Sequence, residues 1–187
     1  PQRWIKSLAS AESLTRLVLE EDEDLVCSGN DLRDFYYLFQ ASSSRSRRNV
    51  LVGAMNPKEL QHLHALKQEH LSSPVVFGAL GTLAMGDCQA VELAQSCHLG
   101  LGLQRDIITA DNLCTMYKPL PRERTMCGLV IDDFITMSKV CNRHSAGGWS
   151  DGAKLAEKMQ DVYEEVKLIP NKAKGFRDEL CSSFWGV

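Results

Sequence analysis

Two adjacent carboxylates interrupt an apolar stretch, and they constrain the fold more than any other feature of this chain. Asp132 and Asp133 lie between two short runs of β-favouring residues, 129–131 and 134–135, so the sequence predicts two strands joined by a tight turn. Two like charges side by side on a hairpin repel each other and lose solvation. A divalent cation offsets both costs, because hard cations bind carboxylate oxygens. An ordinary Asp-containing turn explains the same residues, so the rest of the chain must decide between the two interpretations.

The composition predicts one globular domain with a real core and room for two subdomains. The chain has 187 residues, of which 44% are hydrophobic and 24% charged. The net charge of −3 excludes a global basic field, so any nucleic-acid site must be a local patch. No apolar stretch approaches the roughly 20 residues that span a bilayer, and we expect no membrane partner.

Cysteine usage indicates an intracellular protein of the cytoplasm or nucleus. The chain has 7 cysteines and no Cys-x-x-Cys pair, which is typical of free thiols in a reducing compartment. Four of them have apolar neighbours in the sequence and are predicted to be buried: Cys27, Cys88, Cys97 and Cys127.

Hydrophobic periodicity and turn signals predict an α+β fold with an antiparallel central sheet. The predicted helices are 10–20, 56–70, one opening at 86–87, 109–117 and one capped by Asp151. The predicted strands are 25–31, 49–54, 74–83, the two of the Asp132–Asp133 hairpin and 184–187. The helix capped by Asp151 has the clearest pattern, because its apolar residues form one stripe that is typical of a core face.

A third acid can join the hairpin pair. Asp31 ends a predicted strand, and it meets Asp132 and Asp133 if the two strands are neighbours in one sheet. Carboxylates that converge at a sheet edge suit a site with two metal ions for phosphoryl transfer. One ion lowers the pKa of the attacking hydroxyl, and the other stabilises the leaving oxygen. Lys172 and Lys174 follow the helix capped by Asp151, in a loop from which a cation can reach a phosphate.

The order of these motifs resembles the fingers and palm of reverse transcriptases, especially those of retroelements. The first palm motif of that family is an Asp followed five positions later by an aromatic residue, as in Asp31 and Tyr36. The second motif resembles 83–86, and the third, the Asp pair, is 130–133. The fourth and fifth look like the helix ending near Val166, with Lys174 after it, and the segment 184–186. The resemblance covers about residues 25–187.

The resemblance implies a right-hand polymerase palm with an antiparallel sheet and flanking helices, partial fingers and no thumb. The palm core would be about 25–40 and 84–187, and the fingers about 1–24 and 41–83. The implied protein is the RNA-directed DNA polymerase of a retrotransposon-like polyprotein, a nucleotidyltransferase. Its partners would be an RNA or DNA template with primer, deoxynucleoside triphosphates and further domains of the same polyprotein.

The resemblance also implies roles for single residues in catalysis. Asp31 and Asp132 would bind two Mg²⁺ ions, with Mn²⁺ as a substitute, and Asp133 would assist as a third metal ligand. Lys174 would serve the departing phosphates.

Substrate-binding roles follow in the same way. Tyr36 would screen out the ribose 2′-hydroxyl, and Gly86, preceded by Met85, would leave room for the nucleotide. Arg47 and Arg48 precede a predicted strand at the place where the fingers of the family hold the triphosphate. An arginine-rich solvated turn explains those two residues as well.

Departures from the family pattern keep two alternatives open. Ala84-Met85 stands where the family has Pro-Gln, and Val130 stands where an aromatic residue is common. A catalytically inactive reverse-transcriptase-like scaffold that binds nucleic acid or protein is therefore the second hypothesis. The third is an RNA-dependent RNA polymerase, which usually has Gly before the Asp pair and a small polar or acidic residue at the position of Tyr36. With a net charge of −3, the chain is expected to bind primer–template weakly, since such binding depends on phosphate contacts.

Overall fold

The chain forms two compact units in the computed structural model, which describes residues 4–141 and 148–185. The first unit consists of the described residues up to Phe35 and from Cys88 onward, and the second is Tyr36–Asp87. These boundaries lie close to the palm–fingers boundaries at 40 and 84 that the resemblance implies. Residues 4–24, which the resemblance assigns to the fingers, belong to the first unit. The assignment of the units to palm and fingers stays a prediction.

A four-stranded antiparallel sheet organises the first unit and confirms the α+β prediction. Its strands are β1 (Glu23–Asp31), β2 (Thr125–Val130), β3 (Asp133–Cys141) and β4 (Phe176–Glu179). The strand order is β2-β3-β1-β4, so β1 and β3 are central. Both central strands are buried along much of their length, which their apolar and small residues permit.

Four α-helices are present in the described ranges: α1 (Ala11–Leu14), α2 (Ser43–Ser46), α3 (Ala90–Gln104) and α4 (Asp151–Glu165). The predicted helix is present as α4, but its N-cap is Ser150 rather than Asp151, because the Ser150 hydroxyl accepts a hydrogen bond from the Ala153 N–H. Three residues of its predicted apolar stripe are buried, Met159, Val162 and Tyr163, whereas Leu155 is half-buried and Val166 at the end of the helix is exposed. None of the helices described is long and apolar enough to cross a membrane.

The sheet has a core on each face. On one face Thr136 donates a hydrogen bond to the Gly152 carbonyl of α4, which places even-numbered residues of β3 toward that helix. On the other face Ile135 and Met137 pack with buried residues of β1 and β2 and with aromatic residues from the end of the described chain. The α3 helix packs beside α4, where Gly102 lies close to Met159.

The second unit contains little regular structure, and several sequence predictions for it are wrong. The predicted strands 49–54 and 74–83 form only isolated bridges, such as Val50 with Ala79, and Val50 and Val52 are exposed. Because these apolar residues are exposed, they do not form the covered face that a stable sheet needs. The predicted helix 56–70 is replaced by two short 3₁₀ segments, Pro57–Leu60 and Gln68–Ser72.

In the first unit the errors concern helix lengths and one strand. The helix predicted for 10–20 is only α1, the predicted helix 109–117 is absent, and the helix predicted to open at 86–87 begins at Ala90. Phe184 and Trp185 are not in a strand, and the rest of predicted strand 184–187 lies outside the described residues. The sequence analysis did not predict β4.

The cysteine predictions are correct in part. All seven cysteines are free thiols; Cys27 and Cys127 are buried as expected, but Cys88 and Cys97 are exposed. Cys97 lies on the outer side of α3. The apolar residues of this helix are spread around it rather than gathered on one face. Apolar neighbours in the sequence therefore did not indicate that Cys97 is buried.

Candidate active site

The hairpin between β2 and β3 presents the two adjacent carboxylates. Val130 pairs with Asp133 across the ladder, which leaves only Ile131 and Asp132 in the turn. Ile131 has a φ of 57°, in the left-handed region where a β-branched residue is strained. Such a positive φ is typical of the first residue of tight two-residue hairpins. The turn predicted from sequence is therefore present, and its first residue has an unfavourable backbone conformation.

Gln95 of α3 supports this turn from inside the first unit. Its side chain is fully buried, and its Oε1 accepts a hydrogen bond from the Ile131 N–H at 2.7 Å. Its Nε2 donates to the carbonyls of Leu129 and Ser7, both at 3.1 Å. One amide thus joins the end of β2, the turn and the 3₁₀ segment Trp4–Ser7. A buried backbone N–H that is not part of the ladder needs such a partner.

Asp31 lies directly opposite Asp133. The two residues are paired in the β1–β3 ladder, so the last residue of one strand faces the first residue of the other. The Leu32 N–H donates to the Asp132 carbonyl at 3.2 Å, and this bond continues the connection beyond the strands. The sheet therefore brings together the three carboxylates that the sequence analysis expected to meet.

Lys174 reaches the same place from the loop between α4 and β4. Its Nζ lies 2.9 Å from Oδ2 of Asp31. The loop is tied to the strand end by the Asn171 N–H, which donates to the Asp31 carbonyl at 2.8 Å, and by the Lys174 N–H, which donates to the Asn171 carbonyl. The Lys174 side chain is 66% exposed and that of Asp31 only 8%, so the ammonium lies at the mouth of the site and the carboxylate inside it.

Crowding of the carboxylates changes their acidity. Partial burial, followed by the negative charges of Asp132 and Asp31, raises the pKa of Asp133 from 3.8 to about 6. A hydrogen bond between the carboxyl groups of Asp133 and Asp31 acts in the same direction, whereas Lys174 opposes it. The pKa of Asp132 is also raised, mainly by burial, and that of Lys174 is raised by its bond to Asp31. The site holds more negative charge than its single ammonium offsets.

A cleft of about 500 Å³ opens beside Asp31 and Asp133. Lys174 and Glu179 line it, together with three aromatic residues. Phe176 stacks on Phe184 at a centroid distance of 6.4 Å, and Phe184 meets the edge of Trp185 at 5.2 Å. The Nε1 of Trp185 and the Oγ of Ser182 are buried without a hydrogen-bond partner among the described residues. The cleft thus combines flat aromatic rings, unpaired polar atoms and carboxylates. Such a lining suits a ligand that has a planar group bordered by polar atoms.

The sequence analysis missed three residues that support the site. Gln95 and His98 contact the hairpin turn from α3, and Arg177 of β4 donates to the Gly29 carbonyl and to the Asn30 side chain next to Asp31. Their partners are far away in sequence. The sequence offers one signal for these residues. Gln95 and His98 are polar residues within the largely apolar α3, and Arg177 is a charged residue within the short strand β4.

The predicted substrate-binding residues all belong to the second unit. Arg47 and Arg48 are exposed, whereas their neighbour Arg45 forms two hydrogen bonds to Asp87. Met85 is 68% exposed. Gly86 has a φ of 88°, a conformation that favours glycine. The roles of Tyr36, Arg47, Arg48, Met85 and Gly86 stay predictions.

The carboxylates fit a divalent cation by their chemistry rather than by their present arrangement. Hard oxygen ligands whose pKa is raised by burial and by mutual repulsion are the ligands that Mg²⁺ or Mn²⁺ would stabilise. Among the described residues, however, no group of three or more His, Cys, Asp or Glu side chains is placed to hold a metal ion. Asp31 is paired with Lys174 instead. Metal binding at Asp31, Asp132 and Asp133 therefore requires side-chain rotation and stays a prediction.

Comparisons with known proteins found no matching family model and no matching curated protein. One solved structure that is similar in part is telomerase from Candida albicans in complex with a fragment of telomeric RNA. The two share 9% sequence identity with a TM-score of 0.43, over 98% of this chain and 32% of the telomerase chain. The chain thus spans about a third of the length of the structure it matches.

Proposed function

We propose that this chain is the palm-containing part of a reverse-transcriptase-like polymerase of a retroelement. Its reaction would be the template-directed transfer of a deoxynucleotide to a primer 3′-hydroxyl, with pyrophosphate leaving. The observation that carries the proposal is the pairing of Asp31 with Asp133 at one end of the sheet. These residues belong to the two sequence motifs in which the resemblance implies the metal ligands, and their convergence was expected from sequence alone.

In this proposal each group of side chains has its own role in the reaction. Asp31, Asp132 and Asp133 would hold the divalent ions, which supply charge neutralisation for the attacking and leaving oxygens. Lys174 carries a fixed positive charge at the mouth of the site, 2.9 Å from Asp31, where it can pair with a phosphate once a metal ion takes its place at the carboxylate. The cleft lined by Phe176, Phe184 and Trp185 would hold the apolar faces of a nucleotide or primer end.

Divalent binding tests this proposal directly. We expect calorimetric titration with Mn²⁺ to show binding by the wild-type chain, and Asp31→Asn, Asp132→Asn and Asp133→Asn each to weaken it at least about tenfold, because each removes a charged ligand. Asp161→Asn, at an exposed position of α4, is the control and should bind like the wild type. Equal Mn²⁺ binding by wild type and a triple Asn variant would refute the proposal.

The nucleotide completes the test. Deoxynucleoside triphosphate should tighten Mn²⁺ binding by the wild type, since the phosphates add ligands to the ion, and it should not do so in Asp133→Asn. If the chain is instead a scaffold without catalytic activity, it should bind nucleic acid equally well with or without divalent ions and with or without the Asp substitutions. An RNA-dependent RNA polymerase predicts that ribonucleotides are bound as well as deoxyribonucleotides.

A further inference from the structure

His98 is a polar residue placed in the core between α3 and α4. Its side chain is fully buried, and burial lowers the pKa of its imidazole to about 4, so the ring is neutral at physiological pH. A buried imidazole costs free energy unless both nitrogens have partners. Both of them do, and the identity of those partners indicates what the residue does.

The two ring nitrogens connect the hairpin turn to α4. Nδ1 lies 2.7 Å from the Ile131 carbonyl, which can only accept, so Nδ1 carries the proton. Nε2 is then an acceptor, and the Tyr163 hydroxyl, 2.5 Å away, donates to it. The ring of Phe35 meets the imidazole edge-on at a centroid distance of 5.5 Å. Hydrogen bonds on both sides and an aromatic contact therefore fix the ring.

Ile131 is the residue that most needs such support. Its φ of 57° is strained for a β-branched residue, and such strain persists only where the surroundings over-determine it. Gln95 accepts from its N–H and His98 donates to its carbonyl, so side chains of α3 hold both of its backbone polar groups. Asp132 and Asp133 follow immediately, and their directions depend on this peptide.

We propose that His98 is a positioning residue that sets the orientation of the Asp132 and Asp133 carboxylates through the Ile131 carbonyl, with Tyr163 fixing its tautomer. The proposal rests on the proposed function for the role of those carboxylates. The geometry itself can be tested without any activity. A residue that only filled space would be replaceable by an apolar side chain of similar size, whereas a positioning residue needs the Nδ1 donor.

Nuclear magnetic resonance of the labelled full chain gives the decisive measurement. In the wild type the His98 ring should show a protonated Nδ1 and an unprotonated Nε2. In His98→Leu, hydrogen exchange of the Ile131 amide, which donates to Gln95, and of the Asp133 amide at the end of the ladder should become about tenfold faster relative to amides of the central strands, the size expected from losing one hydrogen bond. In His98→Asn much of the protection should return, because the Asn amide can donate to the Ile131 carbonyl.

Two further variants separate positioning from general destabilisation. Tyr163→Phe keeps the ring and removes only the hydroxyl, so it should shift the Nε2 resonance of His98 with a smaller effect on the turn. Met137→Ala, at a fully buried position on the face of the sheet away from α4, should destabilise the protein without selectively exposing the Ile131 and Asp133 amides. Equal effects of His98→Leu and Met137→Ala on these amides, or a proton on Nε2, would overturn the inference.

Measurements of metal binding distinguish a failure of the His98 proposal from a failure of the proposed function. If the proposed function holds, His98→Leu should weaken Mn²⁺ binding more than Met137→Ala does, and His98→Asn should recover part of the loss. If the wild type binds no divalent ion, the proposed function fails while the amide measurements still decide the role of His98.

Discussion

The Lys174 ammonium lies 2.9 Å from Oδ2 of Asp31, at the point where Asp31 pairs with Asp133 across the ladder. Lys174 is thus the counterion of Asp31, a carboxylate that would bind a metal ion under the proposed function. The same ammonium lowers the pKa of Asp133 and of Asp132. Lys174 therefore partly does what a divalent cation would do, and under the proposed function the two would compete for Asp31.

Replacing Lys174 tests this competition. In Lys174→Met we expect the pKa of Asp133 to rise above its value of about 6, since a stabilising positive charge is lost. Carbon-detected titration of the carboxyl resonances measures it. Lys172→Met, an equally exposed change two positions earlier in the same loop, is the matched control. An unchanged titration of Asp133 in Lys174→Met would show that the ion pair is not formed in solution.

The same variant should bind Mn²⁺ more tightly than the wild type. Removing the ammonium frees an oxygen of Asp31 and makes the local potential more negative, and both changes favour a cation. Calorimetry on Lys174→Met and Lys172→Met under identical salt conditions makes the comparison. Weaker binding by Lys174→Met would mean that the lysine supports the ion rather than competing with it.

Two glycines of α3 allow a matched stability test of helix packing. Around Gly100 there is open space for a Cβ, whereas at Gly102 a Cβ would lie 2.5 Å from Ile108 and 3.0 Å from Met159. Gly100→Ala should stabilise the protein by about 1 kcal/mol through helix propensity. Gly102→Ala gains the same propensity but overpacks the contacts with Ile108 and with Met159 of α4, with a cost of about 1–3 kcal/mol.

Urea unfolding midpoints of the two variants should therefore move in opposite directions. A gain in both would indicate that α3 and α4 are further apart than described. A loss in both would show that the open side of Gly100 is covered.

Thiol reactivity tests the burial of the cysteines. Burial raises the pKa of Cys27 to about 11 and that of Cys114 to about 12, so at pH 8 both are almost entirely protonated and shielded. Cys88, Cys97 and Cys181 are exposed. In a time course with an alkylating reagent they should be labelled first. Mass spectrometry of the digested protein assigns the labels. Early labelling of Cys27 or Cys114 would contradict the core described for the sheet.

Strong local patterns were sufficient to predict the sheet core and the convergence of the acids. The β1 strand, the Asp132–Asp133 hairpin and α4 each combine a clear periodicity with a turn or cap signal, and each is present. The pairing of Asp31 with Asp133 followed from strand ends and motif order.

The remaining features depend on contacts that no local pattern contains. β4 has only four residues, Phe176–Glu179, and is fixed by pairing with β1 rather than by its own propensity. Gln95 and His98 support a turn more than thirty positions away. In the second unit, apolar residues such as Val52 are exposed, so the apolar pattern that usually indicates a half-buried strand does not mark one there.

Asp133 should make the protein less stable at neutral pH than at acid pH. Because its pKa is raised from 3.8 to about 6 on folding, the folded protein binds more protons than the unfolded chain between these values, and the free energy of unfolding falls as the pH rises through that window. His98 acts oppositely, because its pKa is lowered from 6.5 to about 4 and the unfolded chain then binds more protons. Comparing wild type with Asp133→Asn at each pH cancels the contribution of His98.

Asp133→Asn should therefore be more stable than the wild type at pH 7.5 and equally stable at pH 3, where Asp133 is protonated and neutral as Asn is. Because Asp133 is only partly buried and solvent screens its interactions, we expect a gain of about 1–2 kcal/mol. Urea unfolding from pH 3 to 7.5 measures it, with Asp161→Asn as the surface control. A gain that is constant across this range would show that the effect comes from packing of the amide, and that neither burial nor the neighbouring carboxylates raise the pKa of Asp133 in the folded protein.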